Sequence, residues 1–329
     1  MKKKYNQISW VRKLRAHSIK GYSIGGDELI RAFIRQIPLI SGCREVVEIQ
    51  KGFSTDEKYL IHMPSDNRKF LLNVFNLKEW ESKEEEFSLL GKMQNFHVTC
   101  SRPVEIGKVE NRGYMITSYL EGTDAEDEIS KYSSQVQYTI GYKAGQELKK
   151  MHQLSAPVHM LSWKSRKLEK HTKYINTYLS CGTKIKNDHQ LMNFIDENSH
   201  LMDSRPNVFQ HDDFHLGNII IKDSKFAGVI DFNRHDWGDP IHEFLKVGIF
   251  SSEVSIPFSV GQIKGYFSNE EPDDEFWRLY SLYLAMSVFS SVVWTLKTIP
   301  DSMDEMLAKI DRVIEDHDYF TRIKPKWYQ

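Results

Sequence analysis

The sequence predicts an α+β chain of two lobes, the first small and β-rich, the second larger and mainly helical. Three observations carry that expectation. Short runs rich in β-branched and aromatic residues follow one another between residues 46 and 121. Beyond Gly122 the apolar residues recur at helical spacing over long segments. Two β-branched runs then interrupt the helical part, Ile219-Ile220-Ile221 and Gly228-Val229-Ile230, separated by the turn-prone Lys222-Asp223-Ser224-Lys225.

Residues 1–45 read as a basic N-terminal extension and a helix. Lys2, Lys3, Lys4, Arg12, Lys13, Arg15 and Lys20 precede the first acidic residue. The stretch is short and its apolar pattern irregular, which favours a solvated or docked arm over an anion-binding tail. Leu29, Ile30, Phe33 and Ile34 then repeat at helical spacing, so a helix is expected over residues 27–40. Residues 46–121 form the first lobe, with strands expected at 46–49, 58–63, 69–75, 104–109 and 114–120. Residues 122–329 form the second, with helices expected at 133–153, 167–179, 189–202 and 274–296.

Composition sets outer limits. The chain has 329 residues, 40% hydrophobic and 27% charged, with a net charge of −1. That is enough to bury two cores, and it gives no general attraction to nucleic acid or membrane. The three cysteines, Cys43, Cys100 and Cys181, are far apart and form neither a disulfide framework nor a metal cluster. No apolar run approaches the length of a bilayer span and no signal-like stretch opens the chain, so a cytoplasmic location is expected.

The chemistry concentrates between residues 208 and 239. His211, Asp213 and Asn218 fall in the order H-x-D-x-x-x-x-N, and Asp231 follows Asn218 by thirteen residues. Folding the two apolar runs into a hairpin puts Asn218 at the entry of one strand and Asp231 at the exit of the other. An amide oxygen and a carboxylate then reach one hard cation, while Asp213 on the preceding loop faces a substrate hydroxyl as its base.

These residues give the chain a resemblance to the aminoglycoside phosphotransferase and choline kinase-like family, small-molecule kinases of the two-lobed protein-kinase-like fold. The matching segments are His211-Asp212-Asp213-Phe214-His215-Leu216-Gly217-Asn218, Val229-Ile230-Asp231-Phe232 and Gly238-Asp239-Pro240. Residues 141–152, ending in Met151-His152, and the hinge-like run 114–122 also match. The resemblance implies transfer of the γ-phosphoryl group of ATP or GTP, with Mg²⁺, to a hydroxyl of a small-molecule acceptor. It makes Asp213 the catalytic base, and Asn218 and Asp231 the metal ligands. Gly52, Ser54 and Thr55 would cover the nucleotide phosphates. The backbone around Ser118 and Leu120 would bind the base, with Ile61, Leu71 and Ile230 against its ring.

The resemblance also implies a lysine or arginine on the third strand, paired to a helix glutamate, here Glu86. Asn73 stands at that strand position and brings no charge. His211 and Glu243 fall where the family braces its loop. An aminoglycoside is the leading acceptor, which calls for carboxylates near Asp213. Asp212, Asp236, Asp239 and the acidic run at 270–275 are the candidates. A quaternary ammonium would instead call for aromatic residues such as Trp237. A metabolite kinase, or a catalytically weak nucleotide-binding relative, remains the alternative.

Overall fold

The computed structural model describes residues 24–50, 56–64 and 68–329. Gly52, Ser54 and Thr55, expected over the phosphates, lie outside the described residues, as does the basic stretch 2–20. The chain divides into two compact units, one comprising residues up to Asn95 with Cys100–Leu120, the other Phe96–Thr99 with Glu121–Gln329.

The first unit is built on an antiparallel sheet of order β1-β2-β3-β5-β4. Its strands are β1 (Glu45–Glu48), β2 (Glu57–His62), β3 (Lys69–Asn76), β4 (Pro103–Val109) and β5 (Arg112–Ser118). Alternation along the strands gives the sheet two faces. On one, Val46, Ile61, Phe70, Leu72, Val74 and Ile116 join Ile30, Phe33, Ile34, Ile37 and Ile40 in a single core. The last five come from helix α1 (Ile24–Arg35) and the turns after it. The helix stops at Arg35, short of the expected residue 40, because Pro38 disfavours helical backbone at Ile37. On the opposite face, the registers Leu71↔Thr117 and Asn73↔Met115 place those four side chains together. Helix α2 (Trp80–Asn95) completes this unit.

The second unit carries a three-stranded sheet of order β6-β8-β9 and a two-stranded one of β7 with β10. These strands are β6 (Thr123–Asp124), β7 (Val208–Gln210), β8 (Ile219–Lys222), β9 (Lys225–Val229) and β10 (Asp236–Gly238). Its main helices are α3 (Ser134–Met151), α4 (Trp163–Ser180), α5 (Asp188–Asn198), α6 (Ile256–Tyr266), α7 (Asp274–Thr298) and α8 (Met303–Asp316).

Helices α3 and α6 meet backbone to backbone. Gly141 and Gly145 on α3 lie one turn apart, as do Gly261 and Gly265 on α6. A Cβ at any of them would run into the facing backbone: Phe258, Gln262, Tyr138 and Tyr142 respectively. The helices can approach this closely only because those four side chains are absent.

Helix α7 corrects one expectation from the sequence. It is long and apolar enough, at a mean hydropathy of 1.5, to cross a bilayer. Its apolar residues are instead buried within this unit, Phe276, Leu279, Tyr280, Tyr283, Met286 and Phe289 among them. Asp273 caps its first turn by accepting the Phe276 N–H at 2.8 Å.

Candidate active site

In the second unit the hairpin of β8 and β9 pairs Ile219 with Val229, and the Ile230 N–H donates to the Asn218 carbonyl at 3.0 Å. Asn218 therefore enters one strand beside the point where Asp231 leaves the other. Asp231 adopts a left-handed backbone, φ 70°, which turns the chain sharply out of the strand. The Asn218 amide nitrogen donates to the Asp213 carbonyl at 2.8 Å and to its carboxylate at 3.3 Å. With the nitrogen engaged, the amide oxygen of Asn218 is the atom left for a cation. Among the described residues no group of three or more His, Cys, Asp or Glu side chains is arranged to hold a metal. One amide oxygen and one carboxylate fit a hard cation that takes its other ligands from phosphates and water.

The loop before the hairpin hangs from one buried glutamate. Glu243 accepts the His211 N–H at 2.7 Å on one oxygen and the Asp212 N–H at 2.8 Å on the other. These bonds hold Asp212 in a left-handed conformation, φ 59°, so that Asp213 projects from the far side of the bend. Burial, reinforced by Asp212, pushes the Glu243 carboxyl up to about 8 against the pull of its two N–H donors. His211 donates from Nε2 to the Ile230 carbonyl at 3.0 Å, tying the loop to the end of the hairpin, and burial pushes its pKa below the usual histidine range.

Asp213 is surrounded by basic side chains. Lys246 Nζ lies 2.9 Å from its carboxylate, His215 Nε2 3.5 Å and Arg234 Nη1 3.9 Å. Burial alone would raise this carboxyl, but Lys246 and His215 more than reverse that and hold it well below the usual carboxylate range. Asp213 is thus a persistently ionised group. The sequence reading did not single out Lys246. The one signal available was a lysine three residues past Glu243 in an otherwise apolar stretch.

More basic groups lie beside Asp212. Lys167 on α4 donates to His242 Nε2 at 2.6 Å, and Asp212 lies 3.9 Å from the other ring nitrogen. Lys170 stands one turn further along α4, 4.0 Å from Asp236. Several of the carboxylates expected to receive a polycation are engaged elsewhere. Asp236 accepts from Arg166 at 3.2 Å. Asp239 is fully buried between the Arg205 guanidinium, at 2.7 and 3.1 Å, and the Tyr283 hydroxyl, at 2.7 Å. In the acidic run, Glu271 pairs with Lys264 and Glu275 with Arg205, while Asp273 caps α7. Trp237 is buried edge-on against Phe209 rather than presented as a cage wall.

The first unit answers the question posed by Asn73. Glu86 on α2 is paired at 3.2 Å with Lys83, one turn earlier on the same helix, and Lys83 also reaches Asp56 at 2.6 Å. Lys83 is buried and sits over the Phe75 ring, 5.9 Å from its centroid. Phe75 shares its sheet face with Asn73 by alternation. A lysine does pair with the expected glutamate, but it comes from the helix and not from the strand. Burial works against the Lys83 charge, and Glu86 and Asp56 outweigh it, so the ammonium is retained.

That sheet face also holds two buried polar atoms, Asn73 Oδ1 and Thr117 Oγ1, with no hydrogen-bond partner among the described residues. At the end of β5, Ser118 donates its N–H to the Arg102 carbonyl at 2.9 Å and accepts the Arg102 N–H on its hydroxyl at 2.8 Å. Leu120 follows the strand. Ile61 does not share a face with Leu71. It opposes Phe70 and is buried on the α1 side, so Leu60, opposite Leu71, holds the position assigned to it from sequence.

A β-sheet unit with a buried lysine–glutamate pair, and a helical unit with Asp213, Asn218 and Asp231 on a loop and hairpin, define a kinase-type phosphotransfer enzyme of the protein-kinase-like fold. The model of the phosphotransferase enzyme family matches residues 45–280, and the chain belongs to that family. No curated protein matches the chain at a significant level. Among solved structures it is similar to the gentamicin complex of aminoglycoside phosphotransferase APH(2″)-IIa, at 16% identity, TM-score 0.61, covering 89% of this chain and 97% of that one. The ADP-bound APH(2″)-Ib matches at 16% identity and TM-score 0.61, covering 92% and 98%. Spectinomycin phosphotransferase APH(9)-Ia, with ADP and spectinomycin, matches at 12% identity and TM-score 0.63, covering 90% and 98%.

Proposed function

We propose that the chain is a small-molecule O-phosphotransferase using ATP or GTP with Mg²⁺. The acceptor oxygen attacks the γ-phosphorus, and the bond from that phosphorus to the β–γ bridging oxygen breaks. The nucleoside diphosphate leaves, and the hydroxyl proton passes to Asp213 and on to solvent. Asp213 fixes the attacking oxygen in line and takes its proton late, as suits a transfer whose transition state is loose. Asn218, through its amide oxygen, and Asp231 would hold the metal, which when bound neutralises phosphate charge. Lys83, set by Glu86 and Asp56, supplies the positive charge absent at Asn73, which answers the main reason for reading the chain as a weak relative. Nucleotide recognition is assigned to Gly52, Ser54 and Thr55 for phosphates and to the backbone at Ser118 and Leu120 for the base.

The observation that carries this reading is the pair of hydrogen bonds from the Asn218 amide nitrogen to Asp213, which holds candidate base and candidate metal ligand together. An aminoglycoside acceptor is supported by likeness to solved structures bound to such compounds. A metabolite acceptor is the second reading, and one observation favours it: Asp213 faces Lys246 and Arg234, while Asp236 and Asp239 bind internal partners.

The test is phosphoryl transfer by the purified protein with MgATP and MgGTP, across aminoglycosides, choline, sugars and hydroxy acids, detected by product mass. A phosphorylated acceptor that disappears with Asp213→Ala supports the assignment. Nucleotide binding without any transferred phosphate would return the chain to the class of nucleotide-binding relatives.

A further inference from the structure

Lys167 is the unusual group of the second unit. Its ammonium is packed against the Trp163 ring, 5.6 Å from the centroid, and its one hydrogen bond among the described residues goes to an uncharged imidazole, His242 Nε2 at 2.6 Å. No carboxylate among the described residues lies within 4 Å of it, the nearest acidic neighbours being Asp212 and Asp236. His242 is itself buried, held edge-on by Trp163 at 4.9 Å, and its Nδ1 has no hydrogen-bond partner among the described residues. A desolvated ammonium beside an orphaned ring nitrogen is costly in a folded chain unless a ligand completes it.

The surroundings have one sign. Lys170 stands on the same face of α4, half-exposed, and Lys246 and Arg234 approach from the far side of Asp212 and Asp213. Once Asp236 is matched by Arg166, four basic side chains face Asp212 and Asp213, with Glu243 behind them raised to about 8 by burial, and one of the two aspartates is the candidate base. Such a wall repels a polycation and attracts an anion.

We infer that Lys167 and Lys170 bind an anionic group, carboxylate or phosphate, on the acceptor whose hydroxyl Asp213 orients. This rests on the phosphotransferase reading for the hydroxyl but not for the anion. The acceptor is a hydroxy acid or a phosphorylated polyol rather than an aminoglycoside. Lys167 and Lys170 act as one clamp at adjacent turns of α4, and the depressed ammonium of Lys167 regains full charge when the anion arrives.

Matched probes test it: glycerol against glycerate, glucose against glucose 6-phosphate, and kanamycin as the polycation. Binding is read by ligand-observed NMR with MgADP present, and transfer by phosphorus NMR with MgATP. At least one charged probe should bind tenfold or more tighter than its neutral partner, the glycerate and glucose 6-phosphate arms separating a carboxylate from a phosphate site. Lys167→Met and Lys170→Ala should each weaken that binding at least tenfold, while Lys173→Ala, exposed on the same helix and paired with Glu169, changes it less than twofold. Lys170→Ala removes a half-exposed side chain and keeps the test valid if Lys167→Met folds poorly. Equal binding of charged and neutral members, tighter binding of kanamycin, or indifference of binding to Lys170→Ala would each overturn the inference. Charge-selective, lysine-dependent binding with no phosphate transferred to any probe would leave the anion site standing and count against the phosphotransferase reading alone.

Discussion

The Lys246 ammonium lies 2.9 Å from the Asp213 carboxylate, and both groups are largely withdrawn from solvent. In the proposed reaction this pair makes Asp213 a weak, late-acting base. A carboxylate so strongly stabilised is a weak base, and weak basicity suffices where the acceptor proton leaves late. In the proposed reaction Lys246 would also place positive charge where negative charge gathers on the transferring group.

Replacing Lys246 by Met removes both effects. Turnover should fall by roughly 10²-fold, the scale of one lost electrostatic donor, with a much smaller change in nucleotide KM. Steady-state kinetics on any productive acceptor checks this. A loss confined to KM would show that Lys246 only binds substrate.

Lys83 gives a prediction with an internal rescue. Lys83→Met should raise the nucleotide KM by about tenfold or more, since a hydrogen bond to a charged group is worth about 1.5–3 kcal/mol and about 1.4 kcal/mol is tenfold. Asn73→Ala should change that KM little, because its amide carries no charge. In the Lys83→Met background, Asn73→Lys restores an ammonium on the same sheet face and should recover much of the lost affinity. Failure of rescue combined with a lowered melting temperature would make Lys83 a folding residue.

The glycine contacts between α3 and α6 predict a stability effect far from the chemistry. Gly145→Ala or Gly265→Ala forces a methyl group into the facing backbone, at Gln262 or Tyr142. Overpacking of this kind costs about 1–3 kcal/mol or more, so the melting temperature should drop by several degrees. Gly182→Ala is a poor control because its φ is +79°. Gly42→Ala, which meets open space, should be close to neutral in differential scanning calorimetry.

Arg205 and Asp239 make a second stability test. Arg205→Met leaves Asp239 fully buried with, among the described residues, only the Tyr283 hydroxyl and the Ile241 N–H as donors. Breaking a buried pair by removing one partner costs about 3–5 kcal/mol. Urea unfolding should register that loss, and Arg205→Lys should recover only part of it because a lysine cannot offer two parallel N–H groups.

The parts of this fold legible in sequence are those set by local period and local turns. The five strands of the first unit and the β8–β9 hairpin follow from alternation and turn chemistry, and Asn218 and Asp231 flank that hairpin because its register permits nothing else. What escaped notice is brought together by tertiary packing. Lys83 meets Glu86 within a helical turn, a spacing readable in advance, but its role depends on which sheet face α2 covers. Lys246 reaches Asp213 across more than thirty residues, and no local pattern announces that. Ile61 was placed wrongly although strand alternation sufficed to put it on the face opposite Leu71. The paired glycines of α3 and α6 look like weak points of two helices until the helices are seen to touch there.

The last prediction concerns pH and follows from the setting of Lys167. Burial pushes its ammonium down to about 7, with Lys170 and Lys246 adding to the fall while Asp212 and Asp236 oppose it; His242, its hydrogen-bond partner, is neutral there because its own ring is held well below the usual range. In the unliganded protein Lys167 is charged below pH 7 and increasingly neutral above it. A bound anion favours the charged form, so the complex holds its proton to higher pH. Affinity for glycerate, which stays ionised throughout, should therefore be constant below about pH 7 and weaken above it, by at most tenfold per pH unit. Stability runs in the opposite direction: the unfolded chain keeps the lysine proton up to the ordinary lysine range, so the penalty for burying Lys167 is complete below pH 7 and fades as pH rises toward that range. Lys167→Met should then bind glycerate weakly with no inflection near 7, and should be more stable than the parent at pH 6 by a margin that shrinks at pH 9. Calorimetric titration and thermal unfolding across pH 6 to 9 measure both trends. An inflection that survives in Lys167→Met would assign the titration to another group and leave Lys167 without its place in anion binding.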